Sequence, residues 1–376
     1  MSRPGLRCQL VFVTLSAYIE AGLKAGTKPA ETAMQSRVTY NWLIGARTDS
    51  LFFFLPWLFG FAVILALMQT DVSSSACLTF LALQGLGLGP FHMGMTWAHF
   101  KDSETNQHLV GTREQKLKAL ATTALIMVFC IVGMFANSSV VTAVFLATTI
   151  HHIVKQNSGI LRLYHNSGES IPPRQIEEKT LNLSAWLCAL IFLARNSSVI
   201  NMQYLLYAAA LVVLTLFMFS AREYLDQLFS RANSENQVNI PALLFWLLAV
   251  LFFLPFSFIT NDYNHFLVAP LVMHWFQYVV INFVLIRRRE DATGASSINI
   301  GNFLILSAMF MIFIISTGAW VVTYTNVESP LFKAFTGFLI ALTLIHYVQD
   351  AVLWRFRDPV LKKMIIPYLK LQQERI

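Results

Sequence analysis

The chain carries nine histidines, and seven of them fall inside or at the end of long apolar runs: His92, His99, His151, His152, His265, His274 and His346. An ionisable group in such a run costs at least ~2–3 kcal/mol unless it is paired, ligated or facing water. Two carboxylates join them. Asp350 stands one helical turn after His346 and shares its face if the run is helical. Asp49 opens another run in the phrase Leu43-Ile44-Gly45-Ala46-Arg47-Thr48-Asp49, where it reads as a ligand or as a helix N-cap. Imidazole with carboxylate suits Fe, Zn, Mn or Cu, and several His with one or two Asp is the ligand mix of non-haem iron oxygen chemistry. The candidate metal ligands are His92, His151 or His152, His274 and His346, with Asp350 and Asp49 as ligands or as partners of an imidazole. Asp350 and Gln277 are the candidate catalytic groups, each able to orient a ligating imidazole through a hydrogen bond.

The phrases around these residues share a polar character. Gly85-Leu86-Gly87-Leu88-Gly89-Pro90-Phe91-His92 precedes His99, which lies nearly two turns further on the same face. His151-His152 is followed by Lys155, Gln156 and Asn157. Adjacent residues point ~100° apart on a helix, so one of this pair faces any given centre. His274 is followed one turn later by Gln277 and Tyr278, and His346-Tyr347-Val348-Gln349-Asp350 leads to Trp354-Arg355. His108 and His165 lie in charged stretches and carry no signal of their own.

The elements that must position these groups are membrane helices. Of 376 residues, 56% are hydrophobic and 12% charged, whereas soluble domains carry about 25% charged residues. Only a lipid solvent removes the need for polar cover. A span needs roughly 20 apolar residues, and the candidates are 50–68, 75–98, 118–136, 138–154, 180–196, 199–219, 241–258, 265–286, 302–325 and 331–354. The fold class is therefore all-α, a polytopic transmembrane bundle with about ten spans. Residues 1–47 form an N-terminal cytoplasmic or interfacial segment, 48–354 the transmembrane domain and 355–376 a basic amphipathic tail on the inner leaflet. Within the first segment, the short apolar run Leu10–Ile19 also reads as a signal-like stretch or an eleventh span.

Basic residues alternate strictly between loops. Loop 99–117 holds Lys101, Arg113 and Lys116, loop 155–179 Lys155, Arg162, Arg174 and Lys179, loop 220–240 Arg222 and Arg231, and loop 287–301 Arg287, Arg288 and Arg289. The intervening loops hold almost nothing basic. This pattern predicts two cytoplasmic termini and a multi-pass location such as a bacterial inner membrane. It also places all seven histidines of the apolar runs on spans running from outside to inside. His92, His151, His152 and His346 lie within roughly 10–12 Å of the cytoplasmic helix ends. His274 is nearer the middle, and His265 is at the outer edge. The net charge of +7 is accounted for by this topology, so no nucleic-acid partner is implied. The four cysteines have no zinc-ribbon spacing.

Phe91-His92-Met93-Gly94-Met95, Ile150-His151-His152 and Ile345-His346 with Asp350 resemble the histidine-bearing helices of the Brp/Blh family of membrane β-carotene dioxygenases. The resemblance covers short phrases on three spans, and the Pro-His-Gly phrase of that family has no counterpart. It implies an iron held by helix-borne histidines and O₂ chemistry on a lipophilic substrate. The HxxxH and HxxHH boxes of membrane desaturases and sterol hydroxylases are absent. The expected function is a membrane oxidoreductase using one or two non-haem iron ions on a fatty acyl, isoprenoid or carotenoid chain. Its partners are membrane lipid, that lipophilic substrate and an electron-donor protein. The alternative is a transporter or proton-coupled carrier built on the same His/Asp cluster, with Pro90, Pro255 and Pro270 as helix breakers.

Overall fold

A computed structural model of the chain describes residues 38–69, 87–166, 174–232, 238–260, 263–293, 299–326, 328–355 and 357–369. The run Leu10–Ile19 and residues 75–86 of the predicted second span lie outside these. The described residues are helical apart from one parallel pairing of β1 (Val38–Thr39) with β2 (Val238–Asn239) and the connections between helices. The helices are α1 (Ala46–Asp49), α2 (Leu55–Gln69), α3 (Gly89–His99), α4 (Ser103–Val110), α5 (Arg113–Ala136), α6 (Ser138–Asn166) and α7 (Arg174–Asn196). They continue with α8 (Ile200–Ala232), α9 (Ile240–Val250), α10 (Leu254–Ile259), α11 (Tyr263–Thr293), α12 (Ile300–Tyr324), α13 (Pro330–Leu353) and α14 (Pro359–Leu369).

Among the described residues, seven stretches are long and apolar enough to cross a membrane: α5, α6, α8, α9 with α10, α11, α12 and α13. Helices are what lipid permits, because each backbone group must be satisfied within its own segment. Their outward faces carry large apolar side chains, such as Leu125 at 71% and Phe219 at 68% exposure. Of the other predicted spans, 180–196 lies within the more polar α7 and 50–68 within a helical run interrupted by a π-helical turn at Ser50–Phe54. Pro56, which has no N–H to give the carbonyl one turn back, follows that wide turn.

Several helices outrun their apolar stretches. Loops expected at 155–179, 220–240 and 287–301 are largely helix: α6 continues past Lys155, α8 reaches Ala232, and α11 carries Arg287, Arg288 and Arg289. Charge marks where a chain leaves lipid, but Arg, Lys, Glu and Gln are good helix formers and do not end the helix. Of the predicted helix breakers, Pro255 follows a real interruption between α9 and α10. There Ser184 donates to the Val250 carbonyl, and Trp57 Nε1 donates to the Phe252 carbonyl at 3.2 Å. Pro270 stays inside α11, and Pro90 sits in the first turn of α3, where the missing N–H costs nothing.

The tail corrects an expectation. Helix α14 buries its apolar side, including Leu361, Met364 and Ile365, in one core cluster with Leu285 of α11, so that side is covered by protein. Arg288 donates to the Tyr368 carbonyl at 3.2 Å. Asp358 caps the start of α14 and bonds His108 Nε2 at 2.9 Å, which holds the Asp358 carboxyl below the usual carboxylate range.

Two glycines set the helix spacing near the site. A Cβ on Gly94 of α3 would lie 2.8 Å from Ser307 Cα of α12, and one on Gly337 of α13 would lie 2.9 Å from Ile131 Cα of α5. Small residues permit such backbone approach in membranes. Gly337→Val should therefore cost about 1–3 kcal/mol by forcing α5 and α13 apart. Thermal unfolding in detergent checks this, with Gly159→Ala inside α6, which meets no neighbour within 4 Å, as the control that loses no stability.

Candidate metal centre

Four helices, α3, α6, α11 and α13, each turn one imidazole inward: His92, His152, His274 and His346, all buried. His92 Nε2 and His346 Nε2 are 3.0 Å apart. The His274 ring lies 5.2 Å from that of His92 and 4.9 Å from that of His152, centroid to centroid. Ligand atoms of His92, His274 and His346 all lie within 4.8 Å of one another, as do those of His152, His346 and Asp350. Two ring nitrogens bound ~2.1 Å from one ion stand roughly 3.0–3.4 Å apart at octahedral to tetrahedral angles. The His92–His346 spacing is already of that kind.

A second polar layer lies one turn further along the same helices. The residue four positions after each histidine is Thr96, Gln156, Tyr278 or Asp350. Thr96 Oγ1 donates to Asp350 Oδ1 at 2.9 Å, Tyr278 OH donates to the same oxygen at 2.8 Å, and Thr96 and Tyr278 are 2.5 Å apart. Gln156 Nε2 donates to Gln277 Oε1 at 3.2 Å. Histidine meets histidine and the fourth residue meets the fourth residue, so α3, α11 and α13 run in the same direction, and the His152–His274 and Gln156–Gln277 pairs add α6.

This layer sets the chemistry of the one above. Thr96 Oγ1 also lies 2.9 Å from His346 Nδ1, and when its single proton is given to Asp350 that contact is an N–H donated by the imidazole. In that arrangement His346 carries its proton on Nδ1 and turns its Nε2 lone pair toward His92. Asp350 Oδ1 is occupied by two hydroxyls, while Oδ2 faces His346 Nε2 at 3.5 Å and His152 Nε2 at 3.8 Å. A ligating histidine with its other nitrogen so fixed is the usual arrangement around a protein-bound metal. Thr96→Val keeps the shape and removes the hydroxyl, so metal affinity should fall about 10–100-fold, read by chelator competition.

The upper layer has unmet polar atoms. Neither nitrogen of His274 nor Nε2 of His152 has a hydrogen-bond partner among the described residues. A buried polar atom left so costs about 1–3 kcal/mol, and a cation accepting the one lone pair that each neutral imidazole offers removes part of that cost.

No protein-family model, curated protein or solved structure matches the chain. The site therefore rests on its own geometry.

The residues singled out from sequence divide cleanly. His92, His152, His274, His346 and Asp350 come together. His151 is exposed and points away, which leaves His152 as the member of that pair at the centre. Asp49 is buried but stands apart: Oδ2 accepts from Leu43 N at 2.7 Å and Tyr164 OH at 2.8 Å, and Oδ1 from Ile44 N at 3.0 Å. It is neither a ligand of the cluster nor the N-cap of α1, whose capping position is Gly45. Gln277 contacts Gln156 rather than an imidazole nitrogen. His99 leaves the group for Asn282, with Nε2 at 2.5 Å from Oδ1. Thr96 was missed, and so was Tyr347, whose ring stacks 4.0 Å from that of His152 and whose hydroxyl lies 3.0 Å from Thr149 Oγ1. The signal for Thr96 was in the sequence: a hydrogen-bonding residue four places after each of the four histidines.

Proposed function

We propose that this is a multi-pass membrane oxidoreductase that uses one non-haem iron ion and O₂ to oxidise a lipophilic substrate, such as a fatty acyl, isoprenoid or carotenoid chain. The observation that carries the reading is the gathering of four imidazoles from parallel helices into two overlapping sets of neighbouring ligand atoms that share His346, one of them with Asp350, and both His274 nitrogens unpartnered among the described residues. His346 belongs to both possible ligand sets, and its one available nitrogen holds one ion, which favours a single metal over two. Structural zinc sites are built largely on cysteine, whereas this set is imidazole with one carboxylate, the mix suited to iron oxygen chemistry. When bound, iron would supply the activation of O₂. The chain's own residues keep the His346 tautomer, hold Asp350 by one oxygen and exclude water.

The remaining features fit. The bundle is read with about ten spans and both termini cytoplasmic, which puts the polar layer toward the cytoplasm. Oxidations other than dioxygenation also need electrons, and an electron-donor protein at that face would supply them. The phrases resembling the Brp/Blh helices carry three of the four histidines. The test is O₂ uptake by iron-loaded protein in nanodiscs made from a membrane lipid extract, with mass spectrometry of the lipids. Uptake coupled to a lipid gaining oxygen or losing hydrogen supports the reading. Iron-free protein with no uptake, but with proton or solute flux in proteoliposomes, identifies a carrier instead.

A further inference from the structure

Two glutamines lie one turn beyond the His152–His274 pair and take no part in the Thr96–Tyr278–Asp350 network. Gln277 has 0% exposure. Gln156 Nε2 donates both to the main-chain carbonyl of His274 at 3.1 Å and to Gln277 Oε1 at 3.2 Å. A main-chain carbonyl can only accept, so it fixes which end of the Gln156 amide is the donor. That in turn fixes Gln277, whose oxygen faces the donor and whose NH₂ is the remaining end. Gln277 Nε2 and Gln156 Oε1 have no hydrogen-bond partner among the described residues. A buried donor and a buried acceptor are thus left without partners among the described residues, on the helices that carry two of the histidines.

We infer that this pair is the polar anchor of the substrate site, and that the substrate is a lipid bearing an oxygen, with a hydroxyl the best match. A hydroxyl is the smallest group that accepts from an NH₂ and donates to a carbonyl oxygen. A pure hydrocarbon would leave both amide ends unmet, and a site built to hydrogen-bond an oxygen rejects the analogue lacking it. This inference rests on the oxygenase reading, since it names the substrate class of the same site.

The test compares two photoreactive probes, a long-chain alcohol carrying a diazirine and the matching alkane, on the full-length protein as purified. Labelling is mapped by mass spectrometry, and iron is measured on the same sample. The alcohol should label α11 about tenfold more than the alkane, the worth of one good hydrogen bond. Gln277→Leu should erase the difference while retaining its iron. Equal labelling by both probes in the unaltered protein overturns the inference, and that comparison stands whether or not the variant folds. A sample without iron that still prefers the alcohol would mean that the iron reading failed and this one held.

Discussion

Replacing His346 by alanine should leave protein that folds but retains less than about a tenth of its metal. His346 has 0% exposure and contributes to both sets of neighbouring ligand atoms found among the described residues, so neither set survives its loss. His92→Ala should behave similarly, because it removes the nitrogen 3.0 Å from His346 Nε2. The sharpest contrast lies between two consecutive residues. His152→Ala should weaken metal retention, whereas His151→Ala, at an exposed position, should leave it unchanged. Metal analysis of the purified variants reads all of these. Equal loss from both members of the pair would point to damage to α6 rather than to ligation.

Asp49→Ala is expected to be the most destabilising of the single changes considered, at about 3–5 kcal/mol, with metal content untouched. Its carboxylate accepts from the backbone N–H groups of Leu43 and Ile44 and from the Tyr164 hydroxyl. Gly45 N is a fourth donor at 3.4 Å. Removing the acceptor strands these buried donors and frees the segment before α1 from α6. Tyr164→Phe, which loses one bond of the set, should cost about 0.5–1.5 kcal/mol. Thermal or denaturant unfolding in detergent measures both. Metal loss from Asp49→Ala without loss of stability would restore it as a ligand.

The sequence carried the direction of the site more clearly than its detail. Alternating charge put His92, His152, His274 and His346 on helices of one direction, and the His-to-fourth-residue contacts show those helices to be parallel. Which of His151 and His152 faces the centre depends on the rotation of α6 against its neighbours, and that is set by packing rather than spacing. Asp49 was ambiguous because a carboxylate at the start of a helix serves equally well as cap, ligand or loop anchor. Its role is decided by a loop that turns its N–H groups back onto it. Helix ends were misplaced for a related reason. Charge locates the lipid boundary, while α6, α8 and α11 continue through it because nothing in their charged segments breaks a helix. The apolar side of α14 matches a lipid surface and a protein surface alike, and only the tertiary fold assigns it to α11.

X-ray absorption at the iron edge, with metal quantified per chain, tests the central claim most directly. One iron per chain is expected, bound by three or four imidazole nitrogens at ~2.1 Å with an oxygen in the same shell, and lost in His346→Ala. Protein that binds no metal, or an iron whose nearest neighbours are not imidazoles, would contradict it.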